Sequence, residues 1–186
     1  PRLRRPLVVA FVAMLCVSLA QITVGFFALD CLGLEPADAA QAAGVALTMV
    51  GAALICSQLL VRKLQWPPLR MIRVGASLSA LGFIASALAT NSLLLALGFF
   101  VSAAGMGWVF PAFAALAANA VDASEQGATA GSVGAVQGLG VVVGPLAGTL
   151  IYSLDPRLPY FVAAALLLAV GLWSTSRTPV QPPQPG

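Results

Sequence analysis

The chain contains no histidine. That removes the commonest general base and the commonest zinc ligand, and no Ser-His or Cys-His pair can be assembled. Cysteine is scarce too. Cys16, Cys31 and Cys56 are odd in number and widely spaced, without the short spacings that hold a metal. Charge is the third shortage: 8% of the 186 residues are Asp, Glu, Lys or Arg, against roughly 25% in a soluble domain. So few charges cannot keep a protein surface wet. The six carboxylates, Asp30, Glu35, Asp38, Asp122, Glu125 and Asp155, lie between or at the ends of apolar runs. None is at mid-membrane, where an ionisable residue would mark an ion or proton path. An intramembrane enzyme is hard to build from this inventory, so the expectation is no enzyme, no metal and no cofactor.

What is present is 60% hydrophobic, with mean hydropathy +0.97. Such a chain uses lipid as its solvent, where every backbone polar group must be satisfied internally. The alternating polarity of barrel strands is absent, which leaves helices. A spanning helix needs about 20 apolar residues. Six such stretches can be marked, at about 7–29, 42–61, 69–89, 93–120, 128–154 and 160–176. Together they predict one six-helix transmembrane bundle over 1–177. The breakers and charges fall in the gaps, in "DCLGLEPADAAQ", "RKLQWPP", "TNS", "VDASEQG" and "DPRLP". The tail 178–186, "TPVQPPQPG", has five prolines or glycines in nine residues and is expected to be disordered and cytoplasmic. "PRLRR" has the look of a signal-peptide start, with Ser18-Leu19-Ala20 as a cleavage site. The apolar run continues past that site to Leu29, so a spanning helix is expected instead. No Met opens the chain, and an upstream segment is expected to precede it.

Basic residues orient the spans. Arg2, Arg4, Arg5, Arg62, Lys63, Arg70, Arg73 and Arg177 fall on one side of a six-span layout, and Arg157 alone on the other. The positive-inside bias places both termini in the cytoplasm of a plasma (inner) membrane. The net charge of +3 therefore concerns topology and lipid, not nucleic acid. The basic "RKLQWPPLRMIR" reads first as a topology anchor and second as a gating loop.

Small and neutral polar residues gather on helix faces. At 100° per residue, Met14, Ser18, Gln21 and Gly25 share one face of the first span. Gln41, Gly44, Thr48, Gly51 and Gln58 form a stripe in the second, and Gly98, Ser102 and Gly105 align in the fourth. In the fifth, Gln137 lies on the arc of Gly140, Gly144 and Gly148. The third and sixth spans are plain and read as outer, lipid-facing helices. Small faces let membrane helices pack closely. A buried amide must either bond a neighbouring helix or line a wet cavity, and both readings stand for Gln21 and Gln137. The fourth span also carries "GMGWVFPAF", in which Pro111 should bend the helix and Met106, Trp108, Phe110 and Phe113 supply bulk. Those side chains are either core or the wall of a ligand cavity. Ser18, Gln21, Met106, Trp108, Phe110, Phe113 and Gln137 are thus candidates for a substrate path. Spans one and four, and two and five, share character, while three and six are plain. That is the pattern of a 3+3 inverted repeat.

The stretch "GSVGAVQGLGVVVGPLAGTL" places Gly131, Gly140, Gly144-Pro145 and Gly148 at the spacing of a family motif. It resembles the antiporter motif of the major facilitator superfamily, with Thr149 in place of the final glycine. The six-span layout, the basic loop of Arg62, Lys63, Arg70 and Arg73, and "ASEQGATAGSV" also resemble the C-terminal half of such a transporter, from Leu7 to Arg177. The family's loop motif carries an acid, and none stands before Arg62 here. The resemblance implies an all-α membrane protein forming one half of a major facilitator fold. It implies secondary transport of a small molecule, with the glycine-proline helix pointing to proton-coupled efflux of the multidrug-exporter type. In the family that helix makes its close contact between the two halves. The uncharged, aromatic path candidates favour a lipophilic or amphipathic substrate. The expected partners are membrane lipids, the small-molecule substrate, and an N-terminal six-helix half or a second copy. The alternative is a non-transporting helical subunit of a larger membrane assembly.

Overall fold

A computed structural model describes residues 2–175. The expected tail at 178–186, and Arg177, lie outside the described residues. The architecture is a bundle of six helices: α1 (Arg4–Asp30), α2 (Pro36–Leu64), α3 (Pro68–Ala87), α4 (Ser92–Ala118), α5 (Gln126–Tyr152) and α6 (Leu158–Thr175). A single 3-10 turn, Ala123–Glu125, precedes α5. The first five are long and apolar enough to cross a membrane, and α6 is a shorter apolar helix. At about 1.5 Å per residue its 18 residues still reach roughly 27 Å, near the thickness of the hydrocarbon core.

The connections follow from local chemistry. Gly33 takes a positive φ of 64° and turns the chain between α1 and α2. α2 begins at Pro36, well before the apolar run at 42. Proline suits the first helical position, and Asp38 in the first turn complements the helix dipole. At its other end Arg62 and Lys63 occupy the last turn, and Gln65 caps in the left-handed region at φ 43°. Pro67 and Pro68 then start α3. Asn91 caps α4, its Oδ1 accepting from the Leu94 N–H at 2.9 Å. Inside the spans, hydroxyls bond their own helix: Thr48 to Gly44 O, Ser132 to Ala128 O and Thr149 to Pro145 O. This is the local solution open to a small hydroxyl in hydrocarbon.

The helix neighbours reveal the repeat. The most extensive contacts are α3 with α4, α1 with α5, α2 with α4, and α3 with α6. Exchanging α1 with α4, α2 with α5 and α3 with α6 maps α1–α5 onto α4–α2 and α3–α4 onto α6–α1, which also pack. α3–α6 and α1–α4 map onto themselves. The bundle is therefore built as a 3+3 repeat, in which the second three helices pack as the first three do.

Three seams use the same joint. Ser18 of α1 sits against Gly144 of α5, and its Oγ donates to Val141 O at 3.1 Å. Ser57 of α2 sits against Gly107 of α4 and donates to Ala104 O at 2.8 Å. Ser79 of α3 sits against Gly105 of α4 and donates to Ser102 O at 2.8 Å. In each, the acceptor lies three residues before the glycine. That carbonyl points along its helix to the level of the glycine, and a missing Cβ uncovers it.

The expectation that α3 is plain needs correction. About half of the most apolar stretch of α3 is buried, but only 17% of those of α2 and α5. The serines and glycines of α3 form its seam with α4, Gly75 against Gly105 and Gly82 against Gly98 and Ser102. α3 and α6 keep a leucine face outward, at Leu81, Leu88, Leu168 and Leu172.

Candidate functional site

α4 presents Phe99, Ala103, Met106 and Phe110 at three- and four-residue steps, so they share a stripe. α1 crosses it with Met14, Val17 and Gln21, α2 contributes Val50 and Leu54, and α3 contributes Phe83. These side chains, with Ala20 and Ser102, enclose a cavity of about 200 Å³. Only Gln21 and Ser102 among its lining residues are polar. The Ser102 hydroxyl is already donated to Phe99 O at 2.9 Å, whereas Gln21 is exposed and has no side-chain hydrogen bond among the described residues. The site can therefore offer one free amide within an apolar wall. Such a lining sets one amide, able to donate or accept a hydrogen bond, within an apolar wall.

Of the seven path candidates the structure brings three into this cavity: Gln21, Met106 and Phe110. Phe113 lies behind, buried, with its ring edge-on to Phe110 at 5.9 Å between centroids. Ser18 is spent on the α1–α5 seam. Trp108 points instead to the α2–α3 connection, edge-on to Trp66 at 5.1 Å. Gln137 is half-buried on α5 and is not in the cavity wall. Phe83 and Phe99 escaped the sequence reading because an aromatic in an apolar run carries no positional signal. Ser102 stood on the small stripe of α4 and could have been taken from there.

The glycine helix divides by face. Gly140, Gly144 and Gly148 are buried against α1, where an added Cβ would meet Leu15, Ser18 and Leu19. Gly131, Gly134 and Gly138 face open space. For three of the four motif glycines the close contact thus lies within this half, and Gly131 alone of the four meets nothing within 4 Å. Pro145 is carried inside the continuous α5.

An aromatic ring holds one arginine of the basic loop. The Arg70 guanidinium lies over the Trp66 ring at 4.1 Å, and Trp66 meets Trp108 of α4. A cation–π contact of this kind is worth roughly 0.5–1 kcal/mol at exposed sites. Arg62, Lys63 and Arg73 are exposed at the same end. At the opposite end the Tyr152 hydroxyl donates to Asp30 Oδ2 at 2.6 Å, tying the last turns of α5 and α1. Cys31 follows Asp30, and burial pushes its thiol up while the nearby Arg157 partly offsets that.

The family model for the Major Facilitator Superfamily matches residues 3–186. Two relatives are similar over part of the chain. A triacylglyceride transporter of Mycolicibacterium hassiacum is 37% identical over 81 residues, 44% of this chain and 15% of that protein. A triacylglyceride transporter of Mycolicibacterium smegmatis is 35% identical over 78 residues, 42% of this chain and 14% of that protein. The matches span about one-seventh of the length of these relatives.

Proposed function

The chain belongs to the major facilitator superfamily, and from that premise we propose that it is the C-terminal half of a secondary transporter. Its cargo is a small lipophilic or amphipathic molecule, and it works by alternating access in proton-coupled efflux. The observation that carries this reading is the cavity of α1 to α4, with apolar walls and one unengaged amide at Gln21. The similar proteins named as triacylglyceride transporters agree with it in chemistry. A neutral acyl ester needs apolar walls and one donor to read its carbonyl. Residues from Met14 to Phe110 form one wall of the site, and a second six-helix bundle closes it. All six carboxylates sit at helix ends or in connections, so the proton carrier belongs to that second bundle.

The mechanical parts follow. The Ser18–Gly144 joint and the Asp30–Tyr152 bond make α1 and α5 one rigid unit. The Ser57–Gly107 joint does the same for α2 and α4. Rocking then occurs around the open faces of α2 and α5 rather than within the half. The basic end, with both termini, faces the cytoplasm of a plasma membrane.

The test is flux of a triacylglyceride and of a lipophilic dye through full-length protein, beside a melting curve. Gln21→Ala is expected to raise the apparent KM severalfold for the acyl ester and to change the ratio of the two fluxes, with the melting midpoint kept. An unchanged ratio with a lowered midpoint removes Gln21 from the site.

A further inference from the structure

The cavity stripe of α4 runs on beyond the cargo cavity. After Phe99, Ala103, Met106 and Phe110, the same three- and four-residue steps lead to Ala114 and Ala117. There the large side chains give way to alanines. A second cavity of about 270 Å³ opens between this end of α4 and the start of α5, against about 200 Å³ for the cargo cavity. Ala114 lies about 6 Å along the helix from Phe110. Ala114, Ala117 and Ala118 form one wall, and Gln126, Thr129 and Val133 of α5 form the other. On α5 these three share a stripe with Gly140, Gly144 and Gly148, which face α1. They do not share the face of Gly131, Gly134 and Gly138, which meets open space. A second bundle laid against those open glycines lies on another side of α5.

Two polar groups meet in this cavity. Thr129 is only 5% exposed, yet its hydroxyl makes no hydrogen bond among the described residues. Thr48, Ser132 and Thr149 bond carbonyls of their own helix, and Thr129 does not. Among the described residues, the sole unpartnered side-chain oxygen sealed from every opening is that of Tyr160, so the Thr129 oxygen opens on the cavity. Gln126, one turn earlier, is exposed, and its amide also has no hydrogen bond among the described residues. No charged residue lines the cavity.

We propose that this cavity is a second station for the same cargo, where an uncharged acyl ester is held at the basic end of the bundle before it passes Phe110 into the deeper cavity. This rests on the reading of the α1 to α4 cavity as a cargo site. The Thr129 hydroxyl and the Gln126 amide donate to the ester carbonyl, and the first acyl carbons lie on Ala117 and Val133. A buried hydroxyl without a partner is costly, and the cargo carbonyl supplies what the neighbouring helices do not. A charged headgroup is disfavoured, because on leaving water it meets no counter-charge in the lining.

The test is photolabelling of the full-length protein in vesicles with a triacylglyceride that carries a diazirine in one acyl chain, with adducts mapped by mass spectrometry. Two groups of adducts are expected, one over 99–110 and one over 114–118 and 129–133. Thr129→Val keeps the side chain's shape and removes an unpartnered hydroxyl. The melting midpoint should therefore stay, while labelling of the second group falls roughly two- to tenfold, the worth of one hydrogen bond. Thr129→Ser should restore it. Should Thr129→Val alter folding, Ala114→Trp fills the cavity from an exposed position and must also remove the second group. A phosphatidylcholine with the same labelled chain is expected to mark the second group only weakly. Equal labelling by phosphatidylcholine would make the cavity a general lipid groove and overturn the proposal, as would labelling kept in either variant. Adducts over 99–110 alone would overturn the second station and leave the cargo cavity standing; adducts at neither place would overturn both.

Discussion

Single atoms decide much of this bundle. A Cβ added at Gly82 would land on the Ser102 backbone, which cannot yield, while one added at Gly131 meets nothing within 4 Å. Gly82→Ala is therefore expected to cost about 1–3 kcal/mol by overpacking. Gly131→Ala should be neutral or slightly stabilising, because alanine is the better helix former. Melting curves of the two variants check the contrast; similar midpoints would mean that the α3–α4 seam is looser than its geometry. Tyr160 offers a second residue-scale test. Its ring is fully buried, edge-on to Phe27 at 5.3 Å, and its hydroxyl has no hydrogen-bond partner among the described residues. An unmade hydrogen bond costs about 1–3 kcal/mol, so Tyr160→Phe should hold or raise the midpoint. A clear fall would reveal a partner for that oxygen, with Thr23 the nearest hydroxyl on α1.

At the scale of elements, helices matter as joined pairs. The Ser–Gly joint locks α5 to α1, and a leucine at position 144 would push Ser18 and the Leu15 carbonyl away. Gly144→Leu is expected to abolish transport in protein that still inserts, since the pair can no longer move as one. Near-normal flux in a well-expressed variant would show that the seam is dispensable. Trp66 plays the equivalent part for a connection. It holds the α2–α3 turn onto Trp108 and carries Arg70 above its ring. Trp66→Ala should leave the helices intact yet expose the turn to protease added to inside-out membrane vesicles. Resistance equal to that of the native chain would assign the turn's order to its prolines.

For the whole molecule, sidedness comes first. Cys31 lies at the end away from the basic cluster, whereas Cys16 is buried and Cys56 is in mid-span of α2. In intact cells an impermeant maleimide should label Cys31 slowly at neutral pH. Burial raises its thiol pKa, so less of the reactive thiolate is present at a given pH, and labelling should quicken as pH rises. Arg157 lowers that pKa, so Arg157→Ala should slow labelling further. Labelling only after permeabilisation would invert the topology. The open faces of α2 and α5 are the second whole-molecule feature. If a second bundle covers them, cysteine at Gly131 or Gly134 should be shielded in full-length protein.

Composition alone determined the solvent, because 8% charge cannot wet a surface and an unbroken apolar run can only be a helix in lipid. Loop charges and breakers such as Pro36, Pro67 and Asn91 likewise marked where spans turn, since capping and φ restriction act within a few residues. The glycine spacing of α5 was enough to suggest the family. Partnership was not legible. Ser18, Gln21 and Gly25 share a helix face, yet Ser18 closes a seam while Gln21 opens on the cavity. Gly131 and Gly144 belong to one motif, yet one faces space and the other a helix. Phe83 and Phe99 reach the cavity from runs where any apolar residue would have looked alike. Periodicity fixes a direction around one helix axis, but which neighbour stands in that direction depends on contacts far apart in sequence. Only the packed bundle, through its crossing helices and missing Cβ atoms, decides that.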